Sequence, residues 1–207
     1  MLLLSHENDL ISLGYNGVVG VDEAGRGPLA GPVVAASFLF LPELKNLALL
    51  KDVNDSKRLS EKKRGYIYDT LINEFGETTA YASVDHSEID NINIFQATLL
   101  AMKKSVEKLE KPQNSIVLVD GNKSIKNLDL PQKTYIKGDS RVFTIAAASI
   151  IAKVARDRMM SEFDEQYPQY GFKKNKGYGT AEHLAALKRF GPTPIHRKTF
   201  APIKNFI

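Results

Sequence analysis

The sequence predicts an α/β domain whose mixed sheet has antiparallel outer strands. Two strand-like segments come first, joined by a Gly/Pro-rich turn, and strand-like and helical segments then alternate. One later segment, Ile116 to Val119, is apolar without interruption, as expected of a strand buried on both faces. With 207 residues the chain fits one domain, residues 1–207, and can bury a core without disulfide staples.

Gly17 to Val21 and Val33 to Leu41 form the opening pair, read as an antiparallel hairpin. Asp55 to Leu59 is a polar loop. Ser60 and Glu61 then start a helix whose apolar face is Ile67, Leu71, Ile72 and Phe75, and Gly76 stops it. Thr78 to Val84 reads as the third strand. Phe95, Leu99, Met102, Val106 and Leu109 recur at helical spacing until Pro112. Asp120 lies at the end of the Ile116–Val119 strand, and Lys133 to Lys137 is a short strand. Thr144 to Gln166 is a long helix ending before Pro168, and its apolar first half belongs in the interior. Thr180 to Phe190, closed by Gly191 and Pro192, is the last helix. No repeat or low-complexity tract interrupts this order.

Cysteine is absent, which excludes disulfides, thiolate metal sites and a cysteine nucleophile, and leaves oxygen ligands or the four histidines for any metal. Leu2 to Leu4 is broken at once by Ser5, His6 and Glu7, too short for a signal sequence. No apolar stretch approaches a membrane span, so a soluble cytoplasmic protein is expected. The net charge of +4 is unevenly spread: from Ile151 to Ile207, 11 Lys and Arg face 5 Asp and Glu. Surface helices often carry such a bias for solvation. Beside an acidic site it also suits a polyanion, which an acidic pocket tolerates only with metal ions present.

The most informative segment is Gly20 to Val33, Gly-Val-Asp-Glu-Ala-Gly-Arg-Gly-Pro-Leu-Ala-Gly-Pro-Val. Asp22 and Glu23 are adjacent carboxylates at a strand end, and a cation or a shared proton is the usual relief of their repulsion. A solvated acidic turn is the alternative. Since successive strand side chains point to opposite faces, the strand is expected to end or bulge between the two, helped by Gly25 and Gly27; were Glu23 to continue the strand instead, one of the pair would be lost to the site. Asp120, in Asp120-Gly121-Asn122, reads either as a hairpin turn or as a third acid. The carboxyl ends of neighbouring strands in open α/β sheets are where ligands collect. Asp139 follows the next strand and is either a fourth acid or a turn or cap residue. Four oxygen-rich side chains suit Mg²⁺ or Mn²⁺ better than zinc. Two such ions can hold the attacking and leaving oxygens of a phosphoryl displacement without any histidine base.

Arg26 between two glycines lets the main chain approach a ligand while the guanidinium reaches a phosphate. Pro28, Pro32 and the strand that follows do not fit a dinucleotide loop, and no Walker-type loop is present. Ser149, Lys153 and Arg156 form a polar stripe on the long helix, which a snorkelling Lys153 paired with Asp157 would explain structurally. Lys173, Lys174, Lys176, Gly177, Tyr178 and Gly179 combine charge, an aromatic and a flexible backbone. That suits a nucleic-acid strand as well as an ordinary basic loop.

Together these segments, with Asn54-Asp55-Ser56-Lys57, Ala147-Ala148-Ser149-Ile150-Ile151-Ala152-Lys153, Lys176-Gly177-Tyr178-Gly179-Thr180 and Pro194-Ile195-His196-Arg197, resemble the bacterial type 2 ribonucleases H, the ribonuclease HII family. The resemblance runs from Gly17 to about Ile203. It implies a ribonuclease H-like fold with a five-stranded mixed sheet flanked by helices, and a helical C-terminal part over about 160–207. It implies endonucleolytic cleavage of RNA in RNA–DNA hybrids and incision at single ribonucleotides embedded in DNA, leaving 3′-hydroxyl and 5′-phosphate ends, with two divalent ions, Mg²⁺ or Mn²⁺. Carried onto this chain, Asp22, Glu23, Asp120 and Asp139 match the metal-binding acids. Gly25, Arg26 and Gly27 match the loop that reads the 2′-hydroxyl. Tyr178 matches the tyrosine packing near the next sugar, and Lys57, Ser149 and Lys153 match phosphate contacts. Asp157 and His196 are expected to be structural. Thr199 stands where serine is more usual, and no aromatic-ended sliding-clamp peptide is visible, which argues against a clamp partnership. A monomer is expected. Two readings from other classes are a non-catalytic nucleic-acid binder, indifferent to chelation, and a metal-free glycoside hydrolase using two carboxylates.

Overall fold

The computed structural model describes residues 2–206. Five strands, β1 (Gly17–Ala24), β2 (Val33–Phe40), β3 (Thr79–Val84), β4 (Ser115–Asp120) and β5 (Gln132–Tyr135), form one sheet in the order β3-β2-β1-β4-β5. β1, β2 and β3 pair antiparallel, whereas β4 joins β1, and β5 joins β4, in parallel. The expected mixed sheet is therefore present. The helices are α1 (Ser5–Ser12), α2 (Glu61–Glu74), α3 (His86–Glu107), α4 (Phe143–Gln166), α5 (Phe172–Asn175) and α6 (Ala181–Phe190).

Period-2 alternation sorts β2 onto two cores. Val34, Ala36 and Phe38 face Ala147, Ile150 and Ile151 of α4 and Ile67 and Leu71 of α2. Val33, Ala35 and Leu39 face Ala97, Ala101 and Met102 of α3. α4 lies so close to the sheet that a β-carbon on Gly20 would stand 2.1 Å from the Thr144 carbonyl carbon. A third cluster, Leu29, Met160, Phe172, Leu187, Ile195 and Ile203, ties the C-terminal helices to the loop after β1. Among the described residues no helix is long and apolar enough to cross a membrane.

Caps set the helix starts. Ser60 accepts from the Lys63 N–H, Asp85 from Glu88 and Thr180 from His183, each satisfying an N–H that the helix itself leaves unpaired. Two of the longer helices differ from the sequence-based expectation. α1 lies where no helix is expected, and its buried Glu7 accepts from the Thr144 N–H and hydroxyl at the start of α4. α3 begins nine residues before Phe95, with a break at Asn93 (φ 67°) whose side chain accepts from the N–H groups of Phe95 and Gln96 and so starts the helix afresh. The helical periodicity from Phe95 onward marks only that second segment.

Candidate active site

β1 continues regularly past Asp22, pairing Asp22 with Ala36, Glu23 with Ala35 and Ala24 with Val34. The expected strand end or bulge between the two acids is absent. The side chains leave on opposite faces, Asp22 beside Ser149 of α4 and Glu23 towards Phe95 and Leu99 of α3. They nevertheless share one cleft, because the parallel pairing of β1 with β4 stops at Val21 and Val119. Beyond that point the flank of β1 is open, and Asp120 enters the gap from the end of β4.

The cleft, of about 490 Å³, is lined by Asp22, Glu23, Gly25, Arg26, Gly27, Lys57, Asp120, Ser149, Lys153 and Tyr178. These are ten of the eleven residues singled out from the sequence. The eleventh, Asp139, sits in a short 3₁₀ turn, Gly138–Ser140, where its buried carboxylate accepts from Lys57 Nζ at 2.9 Å. It is not a helix cap: α4 is preceded by Val142, which offers no side-chain acceptor. Asp120 is linked to this turn, accepting from the Gly138 N–H at 2.6 Å.

Electrostatics distinguish this spot from a solvated acidic turn. Burial, with the neighbouring Glu23 and Asp120 charges, pushes the Asp22 carboxyl well above the usual carboxylate range, against the Ser149 hydroxyl and the Glu23 N–H. Burial also raises Glu23, opposed by the Arg26 guanidinium at 3.3 Å. Asp120 is raised by burial and by the Asp139 charge, against the Gly138 N–H. Lys57 is raised in turn, chiefly by its hydrogen bond to Asp139. Three acids shifted upward together mean that the surrounding protein under-compensates their charge, and an added cation is the direct remedy. The all-oxygen donor set fits Mg²⁺ or Mn²⁺. Among the described residues no three such groups form a ready-made cage.

The basic features are held more tightly than a flexible loop implies. Lys153 pairs with Asp157 at 2.7 Å, as the snorkelling reading has it, while still lining the cleft. Lys174 pairs with Glu182 at 2.8 Å. The Lys176 carbonyl accepts from Arg156, and the Gly177 carbonyl from the Leu29 N–H, which ties this segment to the loop after β1. Tyr178 is half exposed, and a β-carbon on Gly27 would come within 3.5 Å of its ring. The Thr199 hydroxyl donates to Asp90 at 2.6 Å.

Sequence reasoning gave no site role to Ser56, Arg64 or Arg156, which also line the cleft. Ser56 shares a hydrogen bond of 3.0 Å with Ser149. Arg64 holds the loop through the Ser56 and Leu59 carbonyls. The available signal was a charged residue in an apolar helix, at Arg156, and a serine beside the matched Lys57. His196 is buried against His183, consistent with the structural role expected of it.

Comparison with known proteins places this chain in a family. A sequence model described as Ribonuclease HII matches residues 19–203. Ribonuclease HII of Geobacter metallireducens is 51% identical over 205 residues, covering 99% of this chain and 93% of that protein. The crystal structure of the ribonuclease H2 from Pyrococcus horikoshii OT3 superposes with a TM-score of 0.72 at 28% identity, covering 92% of this chain and 96% of that one. The structure of the PCNA:RNase HII complex from Archaeoglobus fulgidus matches with a TM-score of 0.69 at 25% identity, over 88% and 94% of the two chains. The five-stranded sheet is thus the ribonuclease H-like fold, and the chain belongs to the ribonuclease HII family, metal-dependent endonucleases that hydrolyse the RNA of RNA–DNA hybrids.

Proposed function

We propose that this chain also incises duplex DNA at single embedded ribonucleotides, and that Asp22, Glu23, Asp120 and Asp139 serve a two-metal hydrolysis leaving 3′-hydroxyl and 5′-phosphate ends. The observation that supports this is the convergence, in one cleft, of three charge-strained acids with the Gly25–Arg26–Gly27 loop and Tyr178. The four acids would hold Mg²⁺ or Mn²⁺, which when bound supplies Lewis acidity and neutralises charge at the scissile phosphodiester.

The remaining residues position the substrate. Lys57 and Lys153 neutralise backbone phosphates beside the acids, and the Ser149 hydroxyl adds a hydrogen bond. The 2′-hydroxyl alone separates a ribonucleotide backbone from a deoxyribonucleotide one, so main-chain groups of a glycine loop select it without reading the base. Tyr178, packed over Gly27, then meets the adjoining sugar. No clamp partner is proposed for this chain.

A duplex with one ribonucleotide and an all-DNA control, incubated with Mg²⁺, Mn²⁺ or a chelator, tests the reading. A cut mapped to the ribonucleotide, lost with chelator, is expected. Asp120→Asn should abolish it while largely sparing duplex binding, because basic contacts remain. Normal turnover by that variant removes Asp120 from the site, and an intact embedded ribonucleotide under every metal removes the junction activity.

A further inference from the structure

The loop after β1 rests on two buried guanidinium groups that the reaction itself leaves unused. Arg197 is 0% and Arg156 1% exposed. Arg197 donates through Nη2 to the Gly25 carbonyl at 2.6 Å, through Nη1 to Arg26 at 3.0 Å and through Nε to Gly31 at 3.0 Å. Arg156 donates to the carbonyls of Pro32 at 2.9 Å, Lys176 at 2.9 Å and Ala30 at 3.2 Å. All six bonds end on main-chain oxygens and none on a carboxylate.

Such an arrangement is costly unless it does something. Burying a cation without a counter-ion is unfavourable, and the two charges also repel each other. A hydrophobic pair would fill the space at lower cost. What it could not do is orient peptides. In a trans peptide the C=O and the following N–H point in opposite directions. With the Gly25 and Arg26 carbonyls both drawn onto one guanidinium fork, the N–H groups of Arg26 and Gly27 are turned away from it. Neither has a protein acceptor among the described residues. Two successive N–H groups aimed outward make a concavity suited to an electronegative oxygen. The position of Arg197 is itself fixed by the backbone, since its N–H donates to the Leu29 carbonyl and the Gly31 N–H to Ile195.

We infer that Arg197, assisted by Arg156, is the positioning residue of the junction reader: its planar fork sets the Arg26 and Gly27 amides as a fixed two-donor nest for a backbone oxygen of the ribonucleotide. The inference rests on the reading of this loop given above. Lysine cannot replace arginine here, because a single ammonium lacks the rigid fork that holds two carbonyls at once.

The test compares Arg197→Lys with Leu187→Ala, which empties a buried position in the C-terminal cluster but removes no hydrogen bond to the Gly25 or Arg26 carbonyl. Both are assayed below their melting temperatures for kcat/KM at an embedded ribonucleotide, and both are examined through the ¹⁵N–¹H resonances of Arg26 and Gly27. Losing the fork should lower kcat/KM by about tenfold, and move both resonances, while Leu187→Ala changes the rate by less than about threefold and leaves them in place. Unmoved resonances in Arg197→Lys overturn the inference, and so does an equal loss of rate in the two variants, which would reduce Arg197 to a stabilising residue. If the wild type fails to cut the embedded ribonucleotide, the functional reading fails, while the resonances still decide the role of Arg197. Should Arg197→Lys not fold, Arg156→Lys releases the other side of the same loop and is judged by the same two measurements.

Discussion

Gly20→Ala tests how closely α4 must approach the sheet for the cleft to form. The added β-carbon would lie 2.1 Å from the Thr144 carbonyl carbon, 2.4 Å from the Ile145 nitrogen and 2.5 Å from the Thr144 oxygen. All three are backbone atoms, so no rotamer change relieves the clash, and α4 must shift by more than an ångström to restore ordinary contact. Overpacking of this kind costs about 1–3 kcal/mol, and an obstacle made of backbone places Gly20→Ala at the upper end. For a chain of this size, ~3 kcal/mol corresponds to a fall in Tm of about 6–12 °C. Activity should fall as well. Asp22 follows Gly20 on the same face of β1, and Ser149 stands on the helix that has to move. The control is Gly65→Ala, in the interior of α2 with nothing within 4 Å of the new methyl. Helix propensity there favours alanine by about 0.5–1 kcal/mol, so the same chemical change should raise Tm. Circular dichroism melts and a hybrid-cleavage assay decide the matter. A Gly20→Ala protein that melts with the wild type and cleaves normally would refute the idea that this contact sets the site.

Lys57→Met removes the ammonium held at 2.9 Å from Asp139 and should strengthen Mn²⁺ binding to the nucleic-acid-free protein, since ammonium and metal compete for that carboxylate. The gain is limited to about fivefold by the exposure of Lys57, and calorimetry showing weaker Mn²⁺ binding would contradict it. Tyr178→Ala should lower kcat/KM at an embedded ribonucleotide by about tenfold or more through loss of ring packing, with little change in Tm because the ring is half exposed. Equal kinetics in the two proteins would remove Tyr178 from the substrate path. Burial holds His183 below its ordinary range, and burial with the His183 charge pushes His196 down to about 4. His196 is therefore neutral when folded, and its contribution is complete above pH ~6.5 and lost as pH falls towards 4, by about 2–3 kcal/mol; the lowered His183 acts with the same sign. The raised carboxylates act in the opposite direction. The quantity to measure is accordingly the difference in urea midpoint between wild type and His196→Gln from pH 7.5 to 5, and a difference independent of pH would refute the assignment.

Side-chain chemistry at strand ends was legible in the sequence because strands and acids carry local signals. Ile116 to Val119 announces a buried strand, and Asp120 directly after it reads as a turn residue or as a site acid, a choice that only its neighbours in the sheet decide. The parallel placement of β4 beside β1 then brings Asp120 to Asp22 across nearly a hundred residues, a step that fold-level reasoning can make. The expectation of a bulge at Glu23 failed for an instructive reason. It assumed that two carboxylates serving one cleft must leave a strand on the same face. What allows both is the end of the neighbouring strand, because a gap in the sheet is open to both faces at once. No local pattern encodes where a partner strand stops.

The two buried arginines mark a different limit. From sequence, Arg156 was one point of a polar stripe and Arg197 one letter of a matched segment, since a guanidinium buried on main-chain carbonyls looks no different from one in solvent. Its role depends on three acceptors for each arginine, most of them far along the chain, and those acceptors are backbone atoms that every residue possesses. Identity at Gly25 and Gly27 could thus be read, whereas the direction in which their peptides face could not. On the proposed reading, that direction decides whether the loop presents donors or acceptors to a ribonucleotide. A variant that keeps the Gly25–Arg26–Gly27 sequence but loses the Arg197 fork should therefore retain the apparent motif and still cut an embedded ribonucleotide about tenfold less efficiently.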